Sequence, residues 1–198
     1  TLFEMLVREK TTGSKQAVST ILSKVSSCNS SFYQELNTEY EAAQIDIELE
    51  NIFNKLKNNS ISKLNALQSI HGMYSSHPNN AVICQLLAQL CVVCIEEYII
   101  GESYGSSDVK RILNSLKTNR SSEFNKHTSV FRDRYQNIWN QVPADAKILL
   151  SGDSSLYSYG QSLNSKGLAL KEGLDYLKAF GGVTNRRSGL FGLNDSPF

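Results

Sequence analysis

The stretch that most constrains this chain is the run at 77–101, which reads HPNNAVICQLLAQLCVVCIEEYIIG. It is apolar around almost the whole circumference of a helix, and it carries Cys84, Cys91 and Cys94. A run of this kind fits a membrane span, a CxxC metal or redox motif, or the central helix of a helical domain. Its polar residues and the placement of its cysteines distinguish the three.

A membrane span requires roughly 20 consecutive, mainly apolar residues that carry no charge. Here Gln85, Gln89, Glu96 and Glu97 interrupt the run, and carboxylates are costly in lipid. The flanking residues also lack the Lys and Arg that anchor a span at its ends. We therefore predict that the run is not a membrane span.

Cys91 and Cys94 have the CxxC spacing of a metal or redox site, but their position in the helix is unlike that of such a site. A redox CxxC begins a helix, where the helix dipole lowers the thiol pKa, whereas these two cysteines fall in mid-helix. A zinc site needs a fourth ligand, for which His71 and His77 are the nearby candidates. We predict small buried core residues and no metal or other cofactor, so that Cys91→Asp is far more damaging than Cys91→Ala.

Helical spacing of apolar residues recurs along the chain, and no long segment alternates with period two. The sequence therefore predicts an all-α fold, a single helical bundle or irregular stack of about seven to eight helices around a buried central helix at about 79–100. It predicts one helical domain at 1–182 and an extended C-terminal arm at 183–198. Among the other predicted helices are 2–10, 31–58, 60–76, 121–142 and 162–180, and Gly101 is predicted to terminate the central one.

One part of the chain resembles the second helix of a tetratricopeptide repeat and the start of the next repeat. The resemblance covers about 35 residues, without a second copy of the 34-residue unit. It implies a helix–turn–helix hairpin and transfers no functional residue. The residues that carry it are Ala66, Ile70, Met73, Pro78, Leu87 and Ala88.

Charge is unevenly distributed although the net charge is only +1. Six acids and no base lie between positions 35 and 50, while seven bases and three acids lie between 108 and 135. One interpretation is two solvated helix faces that partly pair with each other. The other is an acidic surface and a basic surface that serve assembly or bind a polyanion.

Two sets of residues are the candidates for binding. The first is a basic face for phosphate or for an acidic partner, made of Lys110, Arg111, Lys117, Arg120, Arg132 and Arg134. The second is an assembly arm, which carries Arg186, Arg187, Leu190, Phe191, Leu193 and Phe198.

Three aromatic residues, Phe131, Tyr135 and Trp139, are interleaved with Arg132 and Arg134. Rings mixed with cations are typical of surfaces that bind single-stranded nucleic acid. Their spacing of four, however, places the three rings on one side of a helix, and a core face explains that pattern as well. We interpret the rings as core and leave the arginines as candidates for phosphate.

The sequence contains no P-loop, GxGxxG, GxSxG, HExxH or EF-hand pattern. We therefore expect a non-enzymatic helical module for protein–protein interaction or assembly, self-associating through complementary charged faces and the C-terminal arm. The alternative is a helical nucleic-acid-binding or nucleocapsid-like protein that uses the basic region at 110–134, and an enzyme with a cysteine nucleophile is a third hypothesis. Cysteines without a disulfide pattern favour a cytoplasmic location, and a sequence that begins at Thr1 is compatible with a longer chain.

Overall fold

The computed structural model describes residues 12–100, 106–151, 163 and 165–183. These residues form helices and no strand, so the predicted all-α helical stack is confirmed. The helix predicted at 2–10, the terminator Gly101 and the arm beyond Val183 lie outside the described residues. The helices are α1 Thr12–Cys28, α2 Ser30–Lys57, α3 Lys63–Ser76, α4 Ala81–Ile99, α5 Ser106–Thr118, α6 Ser122–Lys126, α7 Ser129–Gln141, α8 Ala144–Ser151 and α9 Ser165–Gly181.

The helices divide into two compact units between Ser62 and Lys63. The N-terminal unit, residues 1–62, contains α1 and α2, and the C-terminal unit, residues 63–198, contains α3 to α9. The predicted division of the chain at residue 182 adjoins residues that the structure does not describe, and it stays a prediction.

The N-terminal unit is a hairpin of two helices that contact each other along their length. Asn29 alone separates them, and its side-chain oxygen accepts a hydrogen bond from the Phe32 backbone N–H at 3.1 Å, which caps the start of α2. The 28 residues of α2 make a rod of about 42 Å. The buried apolar side chains of the unit are Val18, Leu22, Ile45, Leu49 and Ile52.

An asparagine ends α2. Asn59 has a φ of +53°, and the Ser60 N–H donates to the Lys55 carbonyl at 2.8 Å. This is the hydrogen-bond pattern of a Schellman cap, with asparagine at the left-handed position that glycine usually occupies. It places the turn where the Asn58-Asn59-Ser60 sequence predicts it, although the next helix begins at Lys63 rather than at residue 60.

The C-terminal unit is built around α4, as predicted for residues 79–100. This helix contacts α3, α5, α6, α7 and α9, and a hydrogen bond from the Ile83 N–H to the Asn80 side chain caps its start. It is not covered on every side, because Val82, Gln85 and Gln89 are exposed. Its buried residues are Ile83, Cys84, Leu87, Ala88, Cys91, Val92, Cys94 and Ile95.

A cluster of four aromatic rings forms the centre of the C-terminal unit. Phe180 of α9 stacks on Phe131 of α7 with centroids 4.9 Å apart, and Phe124 of α6 meets Phe180 edge to face at 6.3 Å. Tyr74 of α3 meets Phe124 at 5.8 Å. Its hydroxyl donates to the Asn119 carbonyl at 3.2 Å and accepts from the Ser121 N–H at 2.7 Å, so this polar atom has partners for both of its roles.

The helix predicted at 121–142 is wrong in one respect, because it is two helices. α6 ends at Lys126, and α7 begins at Ser129 after His127 and Thr128. The Phe131 N–H bonds to the Thr128 carbonyl at 3.1 Å, a tight turn rather than a regular helical bond. The apolar pattern hides this break, because Phe124 and Phe131, two helical turns apart, are both fully buried.

The end of α9 lies unusually close to α7. A Cβ atom on Gly181 would come within 2.7 Å of the Arg132 backbone nitrogen, so only glycine fits this approach. Gly182 then has a φ of +64°, and the Val183 N–H donates to the Lys178 carbonyl at 3.1 Å. This helix, predicted to end at residue 180, ends at Gly181, and the physical cause of its end is a second Schellman cap.

Candidate interaction surfaces

Lys110, the first residue of the predicted basic face, is held within its own unit. Its Nζ lies 2.9 Å from Glu172 Oε2 and 5.0 Å from the centroid of the Tyr98 ring, and the Tyr98 hydroxyl donates to the same Glu172 oxygen. Hydrogen bonds with Glu172 and Tyr98 raise the pKa of Lys110. Burial works to raise the pKa of Glu172, but the hydrogen bonds from Tyr98 and Lys110 hold that pKa below its ordinary value. This cluster joins α4, α5 and α9.

Two further bases on α5 also have local partners. Lys117 Nζ lies 4.4 Å from the centroid of the Tyr176 ring, a cation–π contact with α9. Arg111 lies 3.4 Å from the Asp108 carboxylate one turn earlier on the same helix. Both side chains are nevertheless exposed.

Arg120 and Arg132 each contact the C-terminal end of α9. Arg132 Nε donates to the Gly181 carbonyl at 3.0 Å, and the Arg120 guanidinium lies 5.5 Å from the centroid of the Phe180 ring. Positive charge is favourable at the C-terminus of a helix, where free carbonyls carry partial negative charge. These two arginines therefore stabilise the end of α9.

The adjacent acids of α4, Glu96 and Glu97, are each paired with a base of another helix. Glu96 forms an ion pair with Arg134 of α7, and Glu97 forms one with Lys63 of α3 at 2.6 Å. The sixth member of the predicted basic face, Arg134, is thus also tied to its own unit.

The predicted basic face is consequently a set of side chains with internal contacts on α5, α7 and the loop between α5 and α6. Arg111, Lys117, Arg120 and Arg132 remain exposed, so phosphate binding by this set stays a prediction. The assembly arm lies wholly outside the described residues, and its six named residues stay a prediction too.

The aromatic residues of α7 belong to the core, as interpreted from their spacing. Phe131 is fully buried, and Tyr135 and Trp139 stack with centroids 5.9 Å apart. Tyr135 and Trp139 pack against a second apolar cluster formed by Val142, Leu150 and Leu174.

The N-terminal unit carries a surface of a different kind, which we call the outer face of α2. Within the helix these residues fall within about 60° of one another. All six are exposed, and Phe32 and Phe53 leave 49% and 40% of their surface accessible. The outer face consists of Phe32, Glu35, Glu39, Asp46, Glu50 and Phe53.

The four carboxylates of the outer face lack a paired base within the described part of the chain. Among the side chains that the structure describes, no ion pair joins any of the four to a base. Glu35 with Glu39 and Asp46 with Glu50 are like charges spaced i,i+4, an arrangement that weakens a helix by a few tenths of a kcal/mol per pair, roughly 0.2–0.5. The pattern therefore does not serve the stability of α2.

The outer face is also palindromic. Counted inward, each end has a phenylalanine, a carboxylate three residues away and another four residues further, and Ala42-Ala43 lies at the centre. At about 100° per residue these pairs are related by a pseudo-two-fold axis perpendicular to the helix. The result is two equivalent half-faces, Phe32–Glu35–Glu39 and Asp46–Glu50–Phe53.

Sequence reasoning identified the acidic run but not this surface. Phe53, the apolar residue at one end of the face, is exposed. The signal that could have revealed the face is the mirrored spacing of its six residues.

A groove of about 460 Å³ runs between α1 and α2 in the same unit. Serine, tyrosine and asparagine side chains dominate its lining. Its lining residues are Ser19, Leu22, Ser23, Ser26, Tyr33, Asn37 and Tyr40.

The thiols of α4 have the properties of core residues. Cys84, Cys91 and Cys94 are buried and free, and burial raises the pKa of each, that of Cys94 to about 12. A thiol that holds its proton so firmly is a poor nucleophile. Within the described residues, no group of three or more His, Cys, Asp or Glu side chains is placed to hold a metal ion.

One helix, α4, is long and apolar enough to cross a membrane when judged by length and composition, with a mean hydropathy of 1.8. The core helix of a helical domain satisfies the same criteria. Here eight residues of α4 are buried against helices of its own unit.

The comparisons with known proteins leave the chain without an assigned family. No protein-family model matches it, and no curated protein and no solved structure is significantly similar to it.

Proposed function

We propose that the chain is a non-enzymatic helical module of protein assembly, which self-associates through the outer face of α2. The observation that supports this most is the outer face itself, two exposed phenylalanines around four carboxylates that form no ion pair with a described side chain. Exposed aromatic side chains are enriched at protein interfaces, where they supply much of the binding energy. Carboxylates beside them select a partner segment that carries positive charge.

Helix stability cannot account for the arrangement, because each i,i+4 pair of carboxylates opposes the helix. Core packing cannot account for it either, because all six residues are exposed. Binding a complementary cationic and apolar segment would bury the phenylalanines and offset the repulsion between the carboxylates.

Light scattering coupled to size exclusion tests the proposal on the full chain. We expect an oligomer that dissociates as the salt concentration rises, because salt screens exposed charges. The variant E35Q/E39Q/D46N/E50Q should be monomeric at protein concentrations where the parent is oligomeric.

The matched control is E41Q/E48Q, which removes two exposed carboxylates from the opposite side of the same helix. This control should associate like the parent chain. A parent chain that is monomeric at every concentration and salt would overturn the proposal, and so would equal loss of association in the two variants.

Nucleic-acid binding by the basic face is the alternative function, supported by the exposure of Arg111, Lys117, Arg120 and Arg132. Phosphate contacts give an affinity that falls steeply with salt. Filter binding to single-stranded RNA and DNA at low and high salt tests it, and no retention at low salt would eliminate it.

A further inference from the structure

We propose that the segment occupying the outer face of α2 is the C-terminal arm, residues 183–198, of a second copy of the chain. This inference rests on the proposed function and specifies the partner of that surface. It follows from the side chains that a half-face requires in a partner segment and from the part of this chain that carries them.

Each half-face presents two carboxylates one helical turn apart and a phenylalanine three residues beyond them. Asp46 and Glu50 precede Phe53, and Phe32 precedes Glu35 and Glu39. A complementary segment therefore needs two cations close together and a large apolar side chain about 5–10 Å further on, the distance that three to seven helical residues span.

Three bases of the C-terminal unit are poorly suited to this role. Lys110 pairs with Glu172, Arg134 pairs with Glu96, and Arg132 binds the Gly181 carbonyl. Recruiting them to the outer face would break contacts that hold α4, α7 and α9 together.

The arm has the required composition in the required order. Arg186-Arg187 is the only adjacent arginine pair in the sequence, and Leu190 and Phe191 follow within four residues. In an extended chain Arg187 and Phe191 lie at most about 13 Å apart, a span that reaches from a carboxylate pair to the phenylalanine beside it. Arginine also suits carboxylates because its planar guanidinium can bind both oxygens.

The two half-faces are equivalent, so the outer face has room for two arms. The α2 helix is about 42 Å long, and two segments from Arg186 to Phe191 placed end to end need about 34 Å when extended. Two arms can therefore lie on one α2 helix in opposite directions, one on each half-face.

Self-association of four full-length variants tests the identity of the occupant, with far-UV circular dichroism to confirm that each is folded. R186Q/R187Q/F191A should weaken association at least about tenfold, as should E35Q/E39Q/D46N/E50Q. The charge-swapped chain, which combines R186E/R187E with E35K/E39K/D46K/E50K, should regain association that R186E/R187E alone lacks.

The outcomes separate this inference from the proposed function. If the outer-face variant dissociates while R186Q/R187Q/F191A associates like the parent, the surface is an interface and the arm is not its occupant. Failure of the charge swap to restore association also overturns the inference. If neither variant changes association, the proposed function fails as well.

A peptide of residues 183–198 gives a second measurement. Added to R186Q/R187Q/F191A, it should bind with two peptides per chain by calorimetry, and E35Q/E39Q should reduce this number to one. Binding that survives E35Q/E39Q/D46N/E50Q would place the peptide elsewhere and overturn the inference.

Discussion

The two units differ in whether their carboxylates are paired with bases. In the C-terminal unit, Glu96, Glu97 and Glu172 each meet a base from another helix. In the N-terminal unit, the carboxylates of the outer face have no such base among the described side chains. The difference indicates that charge joins helices in one unit and is left accessible in the other.

Their apolar residues differ in the same sense. The C-terminal unit buries Phe124, Phe131 and Phe180 completely. The N-terminal unit leaves Phe32 and Phe53 about half exposed. Large aromatic side chains thus stabilise one unit and remain accessible to solvent in the other.

The largest expected effect concerns the centre of the C-terminal unit. Cys91→Asp should destabilise the unit by about 5 kcal/mol, because it places a carboxylate without a partner where no surface is accessible. Cys91→Ala should lose only about 1–2 kcal/mol. Urea unfolding followed by the fluorescence of Trp139, the single tryptophan, measures both. An Asp variant that unfolds at the parent's urea concentration would show that α4 is not the core.

The phenylalanines give a direct comparison between the units. Phe124→Ala should lose about 3–5 kcal/mol, because it leaves a cavity among Tyr74, Phe131 and Phe180. Phe53→Ala should lose less than about 1 kcal/mol, since much of the side chain is already in water. Urea unfolding followed by far-UV circular dichroism reports both. Equal losses of unfolding free energy would contradict this difference between the phenylalanines of the two units.

Removal of a paired carboxylate should be mildly destabilising and dependent on pH. Glu172 has a pKa below its unfolded value, so it stabilises the fold above the unfolded pKa and loses that effect as pH falls through the folded pKa. Its side chain is 37% exposed, so Glu172→Gln should lose less than about 1 kcal/mol at neutral pH. The loss should vanish in acid, as measured by urea unfolding at both pH values, and a loss that grows in acid would be the wrong sign.

Removal of an unpaired carboxylate should have the smallest effect, with the opposite sign. Glu39→Gln should stabilise α2 by about 0.2–0.5 kcal/mol, because it relieves repulsion with Glu35. Glu41→Gln is the control: Glu41 has no like charge one turn away and accepts a hydrogen bond from Asn37 at 2.8 Å. Thermal unfolding by circular dichroism compares the two, and a destabilised Glu39→Gln would mean that this carboxylate has a partner.

Helix positions were predictable from sequence where a local cap fixes them. The helix predicted at 31–58 differs from the observed α2 by only one residue at each end. The agreement is close because Asn29 and Asn59 fix the helix ends through contacts with neighbouring backbone atoms. The division between α6 and α7 was not predictable from periodicity, because burial of Phe124 and Phe131 satisfies the apolar pattern with or without a break.

The partners of the basic residues were beyond sequence reasoning for a different reason. Lys110 meets a glutamate 62 positions away, and Arg132 meets a carbonyl 49 positions away. Such contacts depend on how α5 and α7 pack against α9, whereas the local sequence shows only a run of bases. The outer face of α2, by contrast, is a property of one helix, and its mirrored spacing was present in the sequence.

The four cysteines also allow opening of the native C-terminal unit to be measured by thiol modification. Cys28 of α1 is exposed, while Cys84, Cys91 and Cys94 of α4 are buried. A thiol reagent should therefore modify one cysteine at once and the other three only when the helices around α4 open. The number of thiols modified over time would report how often the native C-terminal unit opens, without any denaturant, and Cys28 would calibrate the reagent in the same sample.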